Sequence, residues 1–334
     1  MRTLAKHFAI LFRRDRLLVA AVLAAMLAVV LYAADLLPVD VGPPRSNPLA
    51  PLPPIVPANN GEIRMVNWNI RWFPAGRPEP QPEAAEIITL RSAAKTIRAI
   101  EPTILCAEEI RNADIAEKFA EATKLPGFRL AVCSDFTLYD GSPCLQQVAI
   151  FSTYPVLRTA AERWHTVGAI DPPRGYAFAL LDAPGGPVGV FAIHLKSNYI
   201  APEAEDPEKQ ATINKLKRQF ASQQLRETVR AMRADGRLPP KARVIVAGDF
   251  NTSEHGRWPG ETTLSAFRKE GWHSCYEGLP PSHCHTVAAD PVFGYDAVTF
   301  DYIFTQGFAS RRATQIRPVR PQLSDHAIVV QLLR

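Results

Sequence analysis

The chain has no C-x-x-C pair, no internal repeat of fixed period and no low-complexity tract beyond one proline-rich stretch. These absences argue against a zinc ribbon and against a repeat solenoid. Net charge is also scarce where it would matter. Arg2, Lys6, Arg13, Arg14 and Arg16 against Asp15 give +4 of the formal +5, which leaves +1 for the other 300 residues. A pI near 9.0 is therefore no argument for nucleic-acid binding by the body of the chain. Only one hydrophobic run is long, and no long apolar insertion of the kind that forms a lipid-docking hairpin follows it.

That run is Leu17–Ala34, 18 residues without a charge behind a basic cluster. Its length suits either a membrane anchor or a signal segment cleaved near Ala33 or Ala34. Basic residues on its N-terminal side predict a cytosolic N-terminus (1–16) and export of the rest. Eight prolines between Pro38 and Pro57 make 35–60 an extended spacer. A single domain is expected over 61–334, with 47% hydrophobic and 21% charged residues in the whole chain, ordinary globular values.

Five cysteines fit an exported domain. Local disulfides Cys133–Cys144 and Cys275–Cys284 are expected, with Cys106 a buried strand thiol. The rival reading takes Cys275 and Cys284 with His273, His283 and His285 as a zinc set, and without a C-x-x-C pair it is the weaker one.

Within 61–334, periodicity predicts helices over Glu83–Ile100, with Ile87, Leu90, Ala94 and Ile97 on one face, over Asn112–Thr123 with Asn112 as cap, and over Pro207–Ala234. The basic residues of the last helix read as a solvated outer face. Strands are predicted at Ile63–Asn67, Thr103–Ala107, Arg129–Val132, Gln147–Phe151, Tyr176–Leu181, Val188–Leu195, Arg243–Ala247, Thr299–Phe304 and Ala327–Leu332. The mixture implies an α/β fold with two packed sheets and helices outside.

Six of these apolar strands end in an acid, an amide or a histidine: N-W-N around Asn67 and Asn69, A-E-E-I with Glu108 and Glu109, H-L-K-S from His194, G-D-F-N with Asp249 and Asn251, D-Y-I-F from Asp301, and S-D-H with Asp325 and His326. Each residue alone is an ordinary turn or cap. Together, on one rim, they can converge on a single site. Glu109 with the oxygen of Asn69 offers hard ligands for Mg²⁺ or Mn²⁺. An Asp can orient water, and a histidine kept cationic by a carboxylate such as Asp301 can contact phosphate. Such a set supports metal-assisted phosphoester cleavage.

In order and spacing these six motifs resemble the endonuclease/exonuclease/phosphatase superfamily over about residues 62–334. The resemblance implies a four-layer α/β sandwich, two mixed sheets face to face with helices outside. It implies that Asn69 and Glu109 hold the divalent metal with Asp325 nearby, that Asp249 orients water, and that Asn251 stabilises the phosphate. It further implies that His194 and His326 contact that phosphate, His326 being paired with Asp301. Glu108 stands where many members have Gln and is expected to add negative charge near the metal. Tyr139 is a loose counterpart of a phosphate-binding tyrosine, and Arg174 reads equally as a phosphate contact or a surface residue. Trp68 is expected to pack; Trp72 and Phe73 either pack or stack on bases.

The expected activity is an extracytoplasmic Mg²⁺-dependent nuclease. The partners are a nucleic-acid substrate and the membrane through the N-terminal helix, and the chain is expected to be a monomer with no protein partner. A phospholipid or sphingomyelin phosphodiesterase, a small-molecule phosphatase and a non-catalytic binding domain are the alternatives.

Overall fold

The computed structural model describes residue 55, residues 58–59, residues 61–254, residue 258, residues 260–289 and residues 296–334. The Leu17–Ala34 segment and most of the proline-rich spacer lie outside the described residues. Among the described residues no helix is long and apolar enough to cross a membrane.

Among the described residues twelve strands form two six-stranded sheets. The first holds β1 (Ile63–Phe73), β2 (Ile104–Ile110), β3 (Arg129–Cys133), β4 (Gln147–Ser152), β11 (Arg311–Arg317) and β12 (Ile328–Leu333), in the order β11-β12-β1-β2-β4-β3. The second holds β5 (Val156–Arg163), β6 (Gly175–Ala183), β7 (Gly186–His194), β8 (Arg243–Asp249), β9 (His273–Ser274) and β10 (Asp301–Gln306), in the order β5-β6-β7-β8-β10-β9. Both sheets are mixed: β1 with β2 and β7 with β8 are parallel, the other pairs antiparallel.

Strand alternation sorts the first sheet's two faces. Ile63 and Met65 of β1, with Ile104 and Cys106 of β2, enter the same core cluster as the residues of β6, β7 and β8. Val66 and Trp68, with Leu105 and Ala107, face the other way into a second cluster. That cluster is roofed by α1 (Glu83–Ile100) and α2 (Ala113–Thr123). Helix α3 (Pro207–Ala234) and the short α4 (Thr263–Lys269) cover the second sheet, burying Ala221, Leu225, Val229, Met232, Leu264 and Phe267. Each buried Leu, Val or Met side chain there contributes roughly 1.5–3 kcal/mol. The expected arrangement of two mixed sheets face to face with helices outside is present.

The helices start and stop on local chemistry. Asn112 accepts from Ile115 N–H as the cap of α2, and Asp206 does the same for Lys209 N–H ahead of Pro207 at the start of α3. Glu101 and Lys124 close α1 and α2 in the left-handed conformation. Helix α1 buries Ala93, Ala94, Ile97 and Ile100, while Ile87 and Ile88 remain exposed. Of its expected apolar face, Leu90, Ala94 and Ile97 meet the core and Ile87 does not.

All five cysteines are free thiols, contrary to expectation. Cys133 packs against the cluster beneath α1 and α2, whereas Cys144 belongs to the cluster between the sheets, so the pair faces opposite sides. Cys275 and Cys284 share one cluster but have separate partners. Cys275 Sγ accepts from Ile303 N–H at 3.4 Å, and Cys284 Sγ–H donates to Pro280 O at 3.3 Å.

Candidate active site

Register brings distant residues to one level. His194 closes β7 directly opposite Asp249, which closes the parallel β8, and Asp249 lies opposite Asp301, the first residue of the antiparallel β10. Three functional side chains thus stand abreast at one end of the second sheet. Across from them, Asn69 of β1 is level with Glu108 of β2 in the first sheet.

Gly248 makes that end of β8 possible. Its φ is +157°, and a Cβ there would meet Ile193 O at 1.9 Å, so no other residue lets β8 lie this close to β7 just before Asp249.

Consecutive Glu108 and Glu109 should point to opposite faces of β2, yet both serve one site. The pairing shifts between Glu108 and Ile110 and between Asn69 and Phe73, and Glu109 adopts φ +61°. This bulge turns Glu109 so that Oε2 accepts from Trp72 N–H at 2.8 Å and Oε1 accepts from Asn69 Nδ2 at 3.2 Å. Among the described residues seven non-glycines have positive φ. Glu101 and Lys124 are helix caps, and the other five, Arg71, Trp72, Glu109, Arg174 and Asn251, all belong to segments lining this end. Backbone strain gathered in this way marks functional sites.

Asp249 Oδ2 is the centre of the cluster. It accepts from Asn69 Nδ2 at 3.1 Å, with His194 Nε2 at 3.6 Å and His326 Nε2 at 3.9 Å. The other oxygen accepts from Asn251 N–H at 2.8 Å. Burial, opposed by His326 and reinforced by Asp301, pushes the Asp249 carboxyl up to about 7. His326 Nδ1 pairs with Asp301 Oδ2 at 2.8 Å. Burial lowers its pKa, but Asp301 and Asp249 outweigh that and hold it well above the ordinary histidine value. His194 behaves oppositely: desolvation, with Arg174 and His326 beside it, keeps it neutral. One cationic and one neutral imidazole therefore flank a single carboxylate.

Glu108 is fully buried, and desolvation with Asp301 and Asp249 raises its pKa far above the ordinary carboxylate value. Burial and the neighbouring acids thus favour its neutral form over the extra negative charge expected of it. A protonated Glu reproduces the shape of Gln.

The acids suit a hard cation. Asn69 Nδ2, the positive end of the amide dipole, is what Glu109 and Asp249 hold between them. Asn69 Oδ1 accepts from Arg71 N–H at 3.0 Å, and a half-turn of the amide would present that oxygen to the acids instead. Among the described residues no three His, Cys, Asp or Glu form a metal cage. One carboxylate with one amide oxygen is nevertheless a set that Mg²⁺ uses, since it keeps several waters and takes further oxygens from a phosphate. Buried Asp301 Oδ1, Glu108 Oε1 and His194 Nδ1 lack protein partners, as in a site built to receive more than it holds.

The remaining expected residues divide. Asn251 Nδ2 donates to Leu195 O at 3.2 Å, which leaves its second N–H. Asp325 stays outside the buried cluster, its side chain 53% exposed and 3.9 Å from Arg71 Nε. Tyr139 is 71% exposed and donates to Asp171 O, taking no part in the cluster. Arg174 is neither phosphate contact nor surface residue: buried, it donates to His194 O, Leu195 O and Gln146 Oε1 and so fixes the end of β7. Arg218, expected on a solvated face, is also buried, bidentate to Glu261 and bonded to Lys196 O. Sequence reasoning missed Ser324, whose hydroxyl donates to Asn69 O and accepts from His326 N–H, tying two site residues together. Its place inside the S-D-H motif was the available signal.

The sequence pattern described as "Endonuclease/Exonuclease/phosphatase family" matches residues 66–326. No curated protein matches the chain in sequence. Truncated TDP2 from Caenorhabditis elegans superposes with a TM-score of 0.55 at 15% identity, over 83% of this chain and 99% of that one. An endonuclease/exonuclease/phosphatase from Beutenbergia cavernae gives 0.56 at 16%, over 82% and 71%. A family protein from Leptotrichia buccalis gives 0.56 at 14%, over 81% and 99%. At these identities the likeness is one of fold.

Proposed function

The chain belongs to the endonuclease/exonuclease/phosphatase family, whose members are typically divalent-metal-dependent phosphoester hydrolases, and from that premise we propose that it is a Mg²⁺- or Mn²⁺-dependent phosphodiesterase acting on nucleic acid. The observation that carries this reading is the convergence of His194, His326 and Asn69 on Asp249 Oδ2, with Asp301 behind His326. A non-catalytic binding domain needs no such arrangement of buried, opposed titratable groups.

Glu109 and Asn69 would hold the cation, which would neutralise a non-bridging phosphate oxygen and the charge developing on the leaving group. Asp249 in its ionised form orients the attacking water through Oδ2. His326, cationic, donates from Nε2 to the phosphate. His194, neutral and buried, contributes a fixed dipole on the other side of Asp249. Asn251 directs its remaining amide N–H toward the phosphate oxygens as their charge grows. Arg174 and Ser324 touch no substrate; they position His194 and His326.

The basic cluster ahead of Leu17–Ala34 supports an extracytoplasmic setting with the domain on a spacer. The purified chain, given single-stranded DNA, RNA and sphingomyelin vesicles with Mg²⁺, is expected to cleave nucleic acid. Cleavage of the lipid alone would overturn the nuclease reading.

A further inference from the structure

A slot of about 250 Å³ opens beside the cluster, lined by Trp72, Pro78, Pro80 and Leu145, with Arg77 and Arg111 at its edge. It falls below the ~300–1,000 Å³ of pockets that take drug-sized ligands and has room for one ring system. Its chemistry is specific: an indole and the Phe73 ring, aliphatic Ala, Pro and Leu surfaces and two guanidinium groups, with no acid among the lining residues.

Trp72 differs from the other tryptophans. Trp68 is fully buried, and Trp164, Trp258 and Trp272 each pack against an aromatic ring. Trp72 makes no ring–ring contact among the described residues and is only half-buried. Its backbone is fixed, since Trp72 N–H donates to Glu109 Oε2 at 2.8 Å. The Leu145 lining is anchored as well: Gln146, next to it, accepts from Arg174, which holds His194 O. Both linings are thus tied to residues that face the reacting phosphate, Trp72 through its own backbone N–H on Glu109 and Leu145 through its neighbour Gln146.

We propose that this slot binds one unpaired nucleobase adjoining the scissile phosphate, stacked on Trp72, and that it makes the enzyme select single-stranded or unstacked nucleic acid. The inference rests on the phosphodiesterase reading above and deepens it. A ring-sized slot admits a base only after the base leaves its duplex stack, and an indole face accepts any base. Arg77, bonded only to the neutral amide oxygen of Gln81, supplies a positive charge for the flanking backbone, whereas the charge of Arg111 is offset by its two bonds to Glu86.

The test uses the full chain, wild type and Trp72→Ala, with a fluorescent single-stranded oligonucleotide and its counterpart of abasic residues. Binding is measured by anisotropy in EDTA, and turnover with Mg²⁺. Wild type is expected to bind the base-containing strand about tenfold more tightly than the abasic one, about 1.4 kcal/mol. Trp72→Ala should abolish that preference, and Trp72→Phe should restore much of it. In turnover the variant's loss should be about tenfold larger on the base-containing strand. Equal binding of both strands by wild type, or an equal loss on both in Trp72→Ala, would overturn the slot. Base-selective binding without any cleavage would overturn the nuclease reading and leave the slot standing.

Discussion

His326 Nδ1 stands 2.8 Å from Oδ2 of Asp301, and the two residues come from different sheets. Asp301 opens β10 of the second sheet, and His326 lies two residues ahead of β12 of the first. The pair therefore works only when the sheets are packed face to face. Removing its charge should be felt in the titration of His326 before anything else. In Asp301→Asn, the high-pH limb of the pH–rate profile should move down toward the ordinary histidine value, with kcat falling about 10²-fold. Because the folded pKa of His326 is raised, the pair's stabilisation is full below about 6.5 and is lost as pH rises through the folded value. An NMR titration of the His326 ring with no downward shift in the variant would refute the pairing.

Burial and Asp301 push the Asp249 carboxyl up to about 7, so kcat/KM should rise with pH through a limb near neutrality. A cation held beside it by Glu109 and Asn69 competes with the proton. Raising Mg²⁺ should therefore drag the limb to lower pH, and a limb indifferent to Mg²⁺ would separate the metal from this cluster.

Glu108→Gln should retain activity within a few-fold. Burial and the neighbouring acids raise the native carboxyl's pKa well above 4.5 and favour its neutral form. The unfolded chain ionises above that value, so the native protein loses stability relative to the variant as pH increases. Denaturation in EDTA should find the two alike at pH 4 and the variant more stable at pH 8.

Gly248→Ala should cost about 3 kcal/mol or more, since the new Cβ meets Ile193 O and φ +157° disfavours any side chain. A thermal midpoint within a degree of wild type would show that β7 and β8 can part there at little cost.

Arg218 and Glu261 form a buried ion pair, their side chains 1% and 3% exposed. Arg218→Met alone should destabilise by about 3–5 kcal/mol, because it leaves Glu261 unpaired. Arg218→Met with Glu261→Leu should recover most of that in equilibrium denaturation.

What was legible in the sequence followed from alternation and caps. Helices Glu83–Ile100 and Pro207–Ala234 fall where periodicity put them. Every strand that carries a site residue overlaps its expected range, but the strands at Asn69, Glu108 and Asp249 run on through those polar residues where the apolar pattern had ended. The strands that were missed, Val156–Arg163, His273–Ser274 and Arg311–Arg317, are all sheet edges. Their outer faces meet water, so they carry no apolar alternation: β5 is exposed at six of its eight positions. The inward turn of Glu109 rests on a bulge, which a run of two acids does not announce. Arg174 and Arg218 are buried because carbonyls and Glu261 satisfy them, and partners that distant cannot be read from composition. The cysteine pairs looked local in sequence, but Cys133 and Cys144 pack into different clusters.

The account stands on one comparison: cleavage of a single-stranded oligonucleotide by wild type, His194→Ala and Asp249→Ala, each with Mg²⁺ and with EDTA. Wild type with Mg²⁺ should be active, EDTA should abolish cleavage, and each variant should lose about 10²-fold or more. Undiminished cleavage in EDTA, or by either variant, would contradict a metal-dependent phosphodiesterase centred on Asp249.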